Sequence, residues 1–119
     1  MKKKGDDNIK KWINENMKSR SCLVVLVGEH TASRKWVQYE IEHAWNSGKG
    51  IVGIYIHNLK DKNGNTTTKG DNPFNFTIGG RNLSRIVHCY DPSTYNAYSD
   101  IKNNISDWVE EAISNRKLY

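Results

Sequence analysis

The stretch Ser33-Arg-Lys-Trp-Val-Gln-Tyr-Glu-Ile-Glu-His-Ala-Trp45 reads as an amphipathic helix with a carboxylate among its apolar residues. At about 100° per residue, Trp36, Glu40, Ala44, Val37, Ile41 and Trp45 fall in that angular order across one half of the helix. A charged glutamate facing a core requires an ionic partner, a protonated state or a cleft. The milder alternatives are a rim position with the head in water, or a fold back to Arg34 or Lys35. The helix starts just past the strand-like run 22–27, and the carboxyl ends of parallel strands are where α/β sheets bind ligands. Glu40 is therefore the first candidate for chemistry. Glu29, His30 and Thr31 lie in the loop before the helix, and His57 and Asn58 end the next strand-like run, so one cleft would gather them. Trp36 reads as a core residue before it reads as a platform for a ligand. His88 lies inside a third apolar run and reads as structural.

Other chemistries find little support. Cys22 and Cys89 both fall in apolar runs, away from any His and acid arrangement suited to thiol catalysis. No Cys/His cluster has zinc spacing, so no metal is expected. The formal charge of +5 favours weak attraction to anions, yet the lysines and arginines are scattered and lack the aromatic interleaving of a single-strand binder. No specific nucleic-acid contact is expected. No apolar run reaches the roughly 18 residues of a membrane span, and no signal peptide is visible; a reduced, cytoplasmic protein is the expectation.

The elements that must hold these residues follow from periodicity. Asp6 or Asp7 caps a first helix in which Ile9, Trp12, Ile13 and Met17 recur at helical spacing, ending near Lys18. The run 22–27 is short, continuous and rich in β-branched residues, as in a strand covered on both faces. Ser33 is placed to cap the next helix, which ends near Ser47-Gly-Lys-Gly50. A second buried strand spans 51–56, and a weaker third spans 85–90. Between them, residues 57–80 form a long polar excursion with turns at Asp61-Lys-Asn-Gly64 and Lys69-Gly-Asp-Asn-Pro73. Tyr98, Ile101, Ile105, Trp108, Val109, Ala112 and Ile113 form one face of a last helix. The order α-β-α-β-loop-β-α predicts a three-layer α/β domain, a parallel sheet with helices on both faces and right-handed crossovers, in one domain over residues 1–119.

The run 22–27, its polar loop and the segment Ser33-Arg-Lys-Trp36-Val-Gln-Tyr-Glu40 together resemble the start of the third helix of TIR domains, with its Trp-x-x-x-Glu motif. The phrases Thr31-Ala-Ser-Arg-Lys-Trp-Val, Gly53-Ile-Tyr-Ile-His-Asn58, Asp61-Lys-Asn-Gly64 and Asn72-Pro-Phe74 are similar to those of bacterial TIR-like proteins of the Thoeris antiphage type. The likeness covers nearly all of residues 6–113. Ser33 stands three residues before Trp36, where two is usual in animal and plant members.

The resemblance implies a flavodoxin-like fold that cleaves NAD, with Glu40 engaging the nicotinamide ribose as the bond breaks. It implies Trp36 as support beneath Glu40. Since a helix N-terminus attracts anions, His30 and Ser33 at the mouth of the helix are expected to meet a phosphate or ribose of NAD, with His57 in the same cleft. It also implies a cyclic ADP-ribose isomer as product, a nucleotide signal to a separate effector, and homo-oligomers through TIR–TIR contacts. A TIR domain normally begins with a strand, a helix and a second strand, whereas this chain starts at the equivalent of the second helix. The strand at 22–27 is then expected to present an unpaired edge, filled in a homo-oligomer or by another polypeptide, or left open in a fragment or a chain begun at an internal methionine. The rival expectation is a TIR module without catalysis that assembles through its helices or that edge. A basic nucleotide- or nucleic-acid-binding domain is the third.

Overall fold

The computed structural model describes residues 11, 21–60, 63–93 and 95–119. The first helix expected from the sequence, and part of the turn at 61–64, lie outside the described residues.

Strand β1 (Cys22–Val27) leads through a short loop to helix α1 (Lys35–Asn46), strand β2 (Gly50–Tyr55) and the long excursion. A hairpin of β3 (Thr77–Ile78) and β4 (Arg81–Asn82) follows, then β5 (Cys89–Tyr90) and helix α2 (Ala97–Arg116). β1, β2 and β5 form a parallel sheet in that order, with Leu23 opposite Ile51 and Gly53 opposite Cys89. Among the described residues β1 pairs only with β2 and is an edge strand.

Side chains alternate across β1, as a strand between two layers requires. Leu23, Val25 and Val27 pack on the α1 side with Val37, Ile41, Ala44, Trp45 and Phe74. Cys22, Val24 and Leu26 face α2 through Ile101, Ile105 and Val109. The expected three-layer α/β architecture, with helices on both faces of a parallel sheet, is what the structure shows. Residues Gly50–Ile54 of β2 are buried throughout, which accounts for a run without polar alternation.

Helix α1 ends as its sequence directs. Gly48 takes φ +79°, and Lys49 N–H donates to the Ala44 carbonyl at 3.0 Å, the pairing of a Schellman cap. Arg116 then donates from Nη2 to the Trp45 carbonyl at 2.7 Å, with its guanidinium 4.0 Å from the Trp45 ring centroid. A cation at a helix C-terminus is favourable, and here it ties the end of α2 to the end of α1.

Two expectations are corrected. Ser33 does not cap α1: it lies in a 3-10 turn (Thr31–Ser33), and its hydroxyl donates to the His30 carbonyl at 2.8 Å. Arg34 holds the cap position without a side-chain bond. The third strand is only Cys89–Tyr90, because Asn82 Oδ1 accepts from Ser84 N–H at 2.9 Å and winds Leu83–Arg85 into a 3-10 turn. The excursion also contributes to the core. Asn72 Oδ1 accepts from Phe74 N–H at 2.8 Å, an Asx turn that sends the fully buried Phe74 inward. Gly53 lies beneath it, where a Cβ would sit 2.7 Å from Phe74 Cε2 and 2.8 Å from Cys89 Sγ.

Candidate active site

The carboxyl ends of β1, β2 and β5 lie side by side, and the excursion is strapped across them. Gly70 rests on the loop after β1, where a Cβ would fall 2.0 Å from the Gly28 carbonyl oxygen. Its neighbour Lys69 places Nζ 4.4 Å from the Tyr55 ring centroid at the end of β2, and 3.0 Å from Asp91 Oδ2 just past β5. Consecutive residues thus reach from one side of the sheet to the other. Beneath them the loop after β1 is fixed by Thr31, whose Oγ1 accepts from Gly28 N–H at 2.8 Å and donates to the Leu26 carbonyl at 3.4 Å.

His57 joins this fastening. Its Nε2 lies 2.8 Å from Asp91 Oδ1, and with a carboxylate as acceptor that nitrogen carries the proton. Asn58 Nδ2 donates to the Pro92 carbonyl at 2.9 Å. Partial burial pushes the Asp91 carboxyl up, and the hydrogen bonds from His57 and Lys69 more than offset it, so Asp91 titrates below the ordinary aspartate range. The hydrogen bond to Asp91 holds the Lys69 ammonium above its usual value.

The sign of each shift sets a pH window. The Asp91 contribution is complete above the unfolded aspartate value and is lost as pH falls through the depressed folded value. The Lys69 contribution is complete below the unfolded lysine value and is lost as pH rises through the raised one. Solvent screening keeps an exposed pair of this kind weak, so Asp91→Asn is expected to raise tryptic cleavage after Lys69 at neutral pH by only about two- to fivefold. An unchanged rate would show that the strap is held without Asp91.

The sequence-derived site residues divide into two groups. Glu40 and Trp36 stand one turn apart on α1, and both are exposed, Trp36 at 59%. Val37, Ile41, Ala44 and Trp45 form the buried stripe of the helix, so Glu40 occupies the rim beside it and not the core. The ion pairs among the described residues engage Glu29 and Asp91, and Glu40 takes part in none of them. Of the two milder alternatives, the rim is what the structure shows. Trp36 is not packed beneath other residues, and Tyr39, at 70% exposure, extends the same open aromatic face, with its ring stacked on His43 at 6.4 Å. His30 and Ser33 are exposed at the entrance to α1, with His30 Nε2 3.8 Å from Glu29 Oε2.

His57 belongs to the Asp91 and Lys69 fastening. Sequence reading missed Lys69 and Asp91 because they pair only through the return of the excursion. Aspartate directly after a strand was the one local signal. The two thiols are chemically quiet: burial pushes Cys22 up to about 12 and Cys89 up to about 11. Among the described residues, no group of three His, Cys, Asp or Glu side chains is placed to hold a metal ion, and no helix is long and apolar enough to cross a membrane.

Comparison with known proteins bears on the same elements. The chain is 43% identical over 75 residues to a Bacillus cereus (strain MSX-D12) protein named "Putative cyclic ADP-D-ribose synthase ThsB1", a match covering 63% of this chain and 39% of that protein. The chain thus spans well under half the length of that relative. The family described as "Thoeris protein ThsB, TIR-like domain" matches residues 1–61, just over half of the 119-residue sequence, including β1, the loop after it, the Trp36 and Glu40 helix and β2. On this match, with the parallel sheet and helices on both its faces, the chain belongs to the ThsB family of Thoeris TIR-like domains.

Proposed function

We propose that this chain carries the part of a NAD-cleaving site centred on Glu40, and that the reaction forms a cyclic ADP-ribose isomer serving as a nucleotide signal to a separate effector in antiphage defence. The observation that carries the reading is the position of Glu40. It lies on the helix that leaves the carboxyl edge of β1, in the segment matched by the ThsB family and with Trp36 one turn before it.

The chemistry suits a carboxylate. Cleavage of the glycosidic bond returns the bonding electron pair to the nicotinamide nitrogen, and nicotinamide leaves neutral. The ribosyl carbon is left as an oxocarbenium-like cation. A fixed carboxylate stabilises that charge and orients the ribose hydroxyls, more strongly as water is excluded. Attack by water gives ADP-ribose and a proton; attack by a nucleophile within the same molecule gives the cyclic isomer and a proton. His30 and Ser33 stand where the phosphates or ribose would approach α1, and His57 stands below the strap.

Because Glu40 is exposed, its effect depends on the α1 face being covered when substrate is bound. The exposed Trp36 and Tyr39, together with a β1 edge that is unpaired among the described residues, fit coverage by a second copy of the chain. The same exposed surfaces favour the second reading, a TIR module that assembles without catalysis. Titration of NAD into the Glu40→Gln variant, which holds substrate without turnover, distinguishes the two. Residue-resolved NMR is expected to show shifts at the Trp36 indole and the Gly28–Thr31 amides. Saturating NAD with no change at these positions would overturn the enzymatic reading.

A further inference from the structure

On the opposite side of the sheet from α1, a cavity of about 350 Å³ lies between β2, β5 and α2. Nothing in the proposed NAD chemistry uses it. Its size falls within the usual range of small-ligand pockets. Ile51 and Val52 of β2 contribute apolar lining, joined by Ala112 and Leu118. Tyr90 and Trp108 line it as a stacked pair, with ring centroids 4.3 Å apart and planes within 8°. Each ring covers one face of the other, and an outer face of such a stack keeps the negative quadrupole that attracts cations.

The charge of the lining points the same way. Glu111 supplies a carboxylate whose Oε2 accepts from the Tyr90 hydroxyl at 3.3 Å, which orients it within the lining. Asn115 donates from Nδ2 to the Ile86 carbonyl at 3.1 Å, and its own carbonyl oxygen remains an acceptor. Among the described residues, no lysine or arginine lines the cavity, although the chain as a whole carries a formal charge of +5. His88 also lines it, edge-on to the Tyr90 ring at 6.0 Å, but the phosphates of an anionic dinucleotide would meet the Glu111 carboxylate and no lysine or arginine, so the cavity is poorly suited to NAD.

We propose that this cavity binds a small organic cation, a quaternary nitrogen on a compact apolar body, held against an outer face of the Tyr90–Trp108 stack with Glu111 as counter-charge. The proposal does not depend on the NAD reading.

Choline and its neutral isostere 3,3-dimethylbutanol are suitable probes, because they match in shape and differ in charge. The readout is residue-resolved NMR of the intact chain, following the Trp108 indole and the Ile51 and Val52 amides. Choline is expected to shift these signals saturably, at an affinity about tenfold above that of the alcohol. Glu111→Gln, at an exposed position whose spectrum itself reports the fold, is expected to remove that preference. Trp108→Leu, which keeps an apolar lining, is expected to weaken choline more than the alcohol. Equal affinity for the two probes, an unaltered preference in Glu111→Gln, or no saturable shift with choline would each overturn the proposal.

Discussion

Replacing Glu40 with glutamine is expected to lower nicotinamide release from NAD by about 10²- to 10³-fold while leaving the melting temperature unchanged. The kinetic loss follows from removing a negative charge beside a developing cation, taken as about the 2.7–4 kcal/mol that one preorganised electrostatic contact gives to a transition state. The unchanged stability follows from the structure. Glu40 is exposed on α1 and takes no part in the ion pairs among the described residues, so a nearly isosteric amide has little to disturb. A residue that supports the fold would lose both properties together. Dissociation of rate from stability is the result that would mark Glu40 as a catalytic group.

The largest effect on stability is expected at Phe74. Its side chain is fully buried between Gly53 and the α1 layer, delivered there by the Asn72 turn. Phe74→Ala removes that ring from a position where Gly53 has no Cβ to fill the space, and a cost of about 3–5 kcal/mol follows. In a domain of this size the melting temperature is expected to fall by roughly 10 °C or more. A second consequence separates this cavity from general unfolding. Cys89 Sγ packs at the same spot, 2.8 Å from where a Gly53 Cβ would stand, and its quiet thiol is expected to react faster with a disulfide reagent under folded conditions. A variant that melts like the parent would show that the excursion packs loosely on the sheet.

That the excursion supplies a core residue was not evident from its composition. Residues 57–80 are polar apart from a few scattered positions, and Asn72-Pro73-Phe74 reads as a turn followed by one aromatic. Nothing local says that the aromatic points inward; the space above Gly53 decides it. The hairpin of β3 and β4 was not read from the sequence either, although its signal is local. Ile78-Gly79-Gly80-Arg81 has two glycines at positive φ, +57° and +82°, the conformation that two-residue hairpin loops require.

The strands β1 and β2 were legible because continuous β-branched runs bounded by polar loops have few other readings, and both helices followed from their spacing. The third strand shrank because one side chain, Asn82, competed for the backbone just ahead of it. The wheel of α1 spread its apolar half from Trp36 to Trp45, but the sheet covers only the sector of Val37, Ile41, Ala44 and Trp45. Periodicity gives the direction of a helix face and not its width. Glu40, on the Trp36 side, therefore emerged at the rim. The Asp91 and Lys69 fastening depends on two segments far apart in sequence, and only topology brings them together.

Whether Glu40 serves NAD cleavage is decided by chromatography of the reaction mixture. The purified chain and its Glu40→Gln variant are each incubated with NAD, and nicotinamide, ADP-ribose and cyclic ADP-ribose isomers are resolved. Nicotinamide together with a cyclic isomer is expected from the wild-type chain, and at least about a hundredfold less of both from the variant. Equal nicotinamide release from both chains, or none from the wild type, would contradict this role of Glu40.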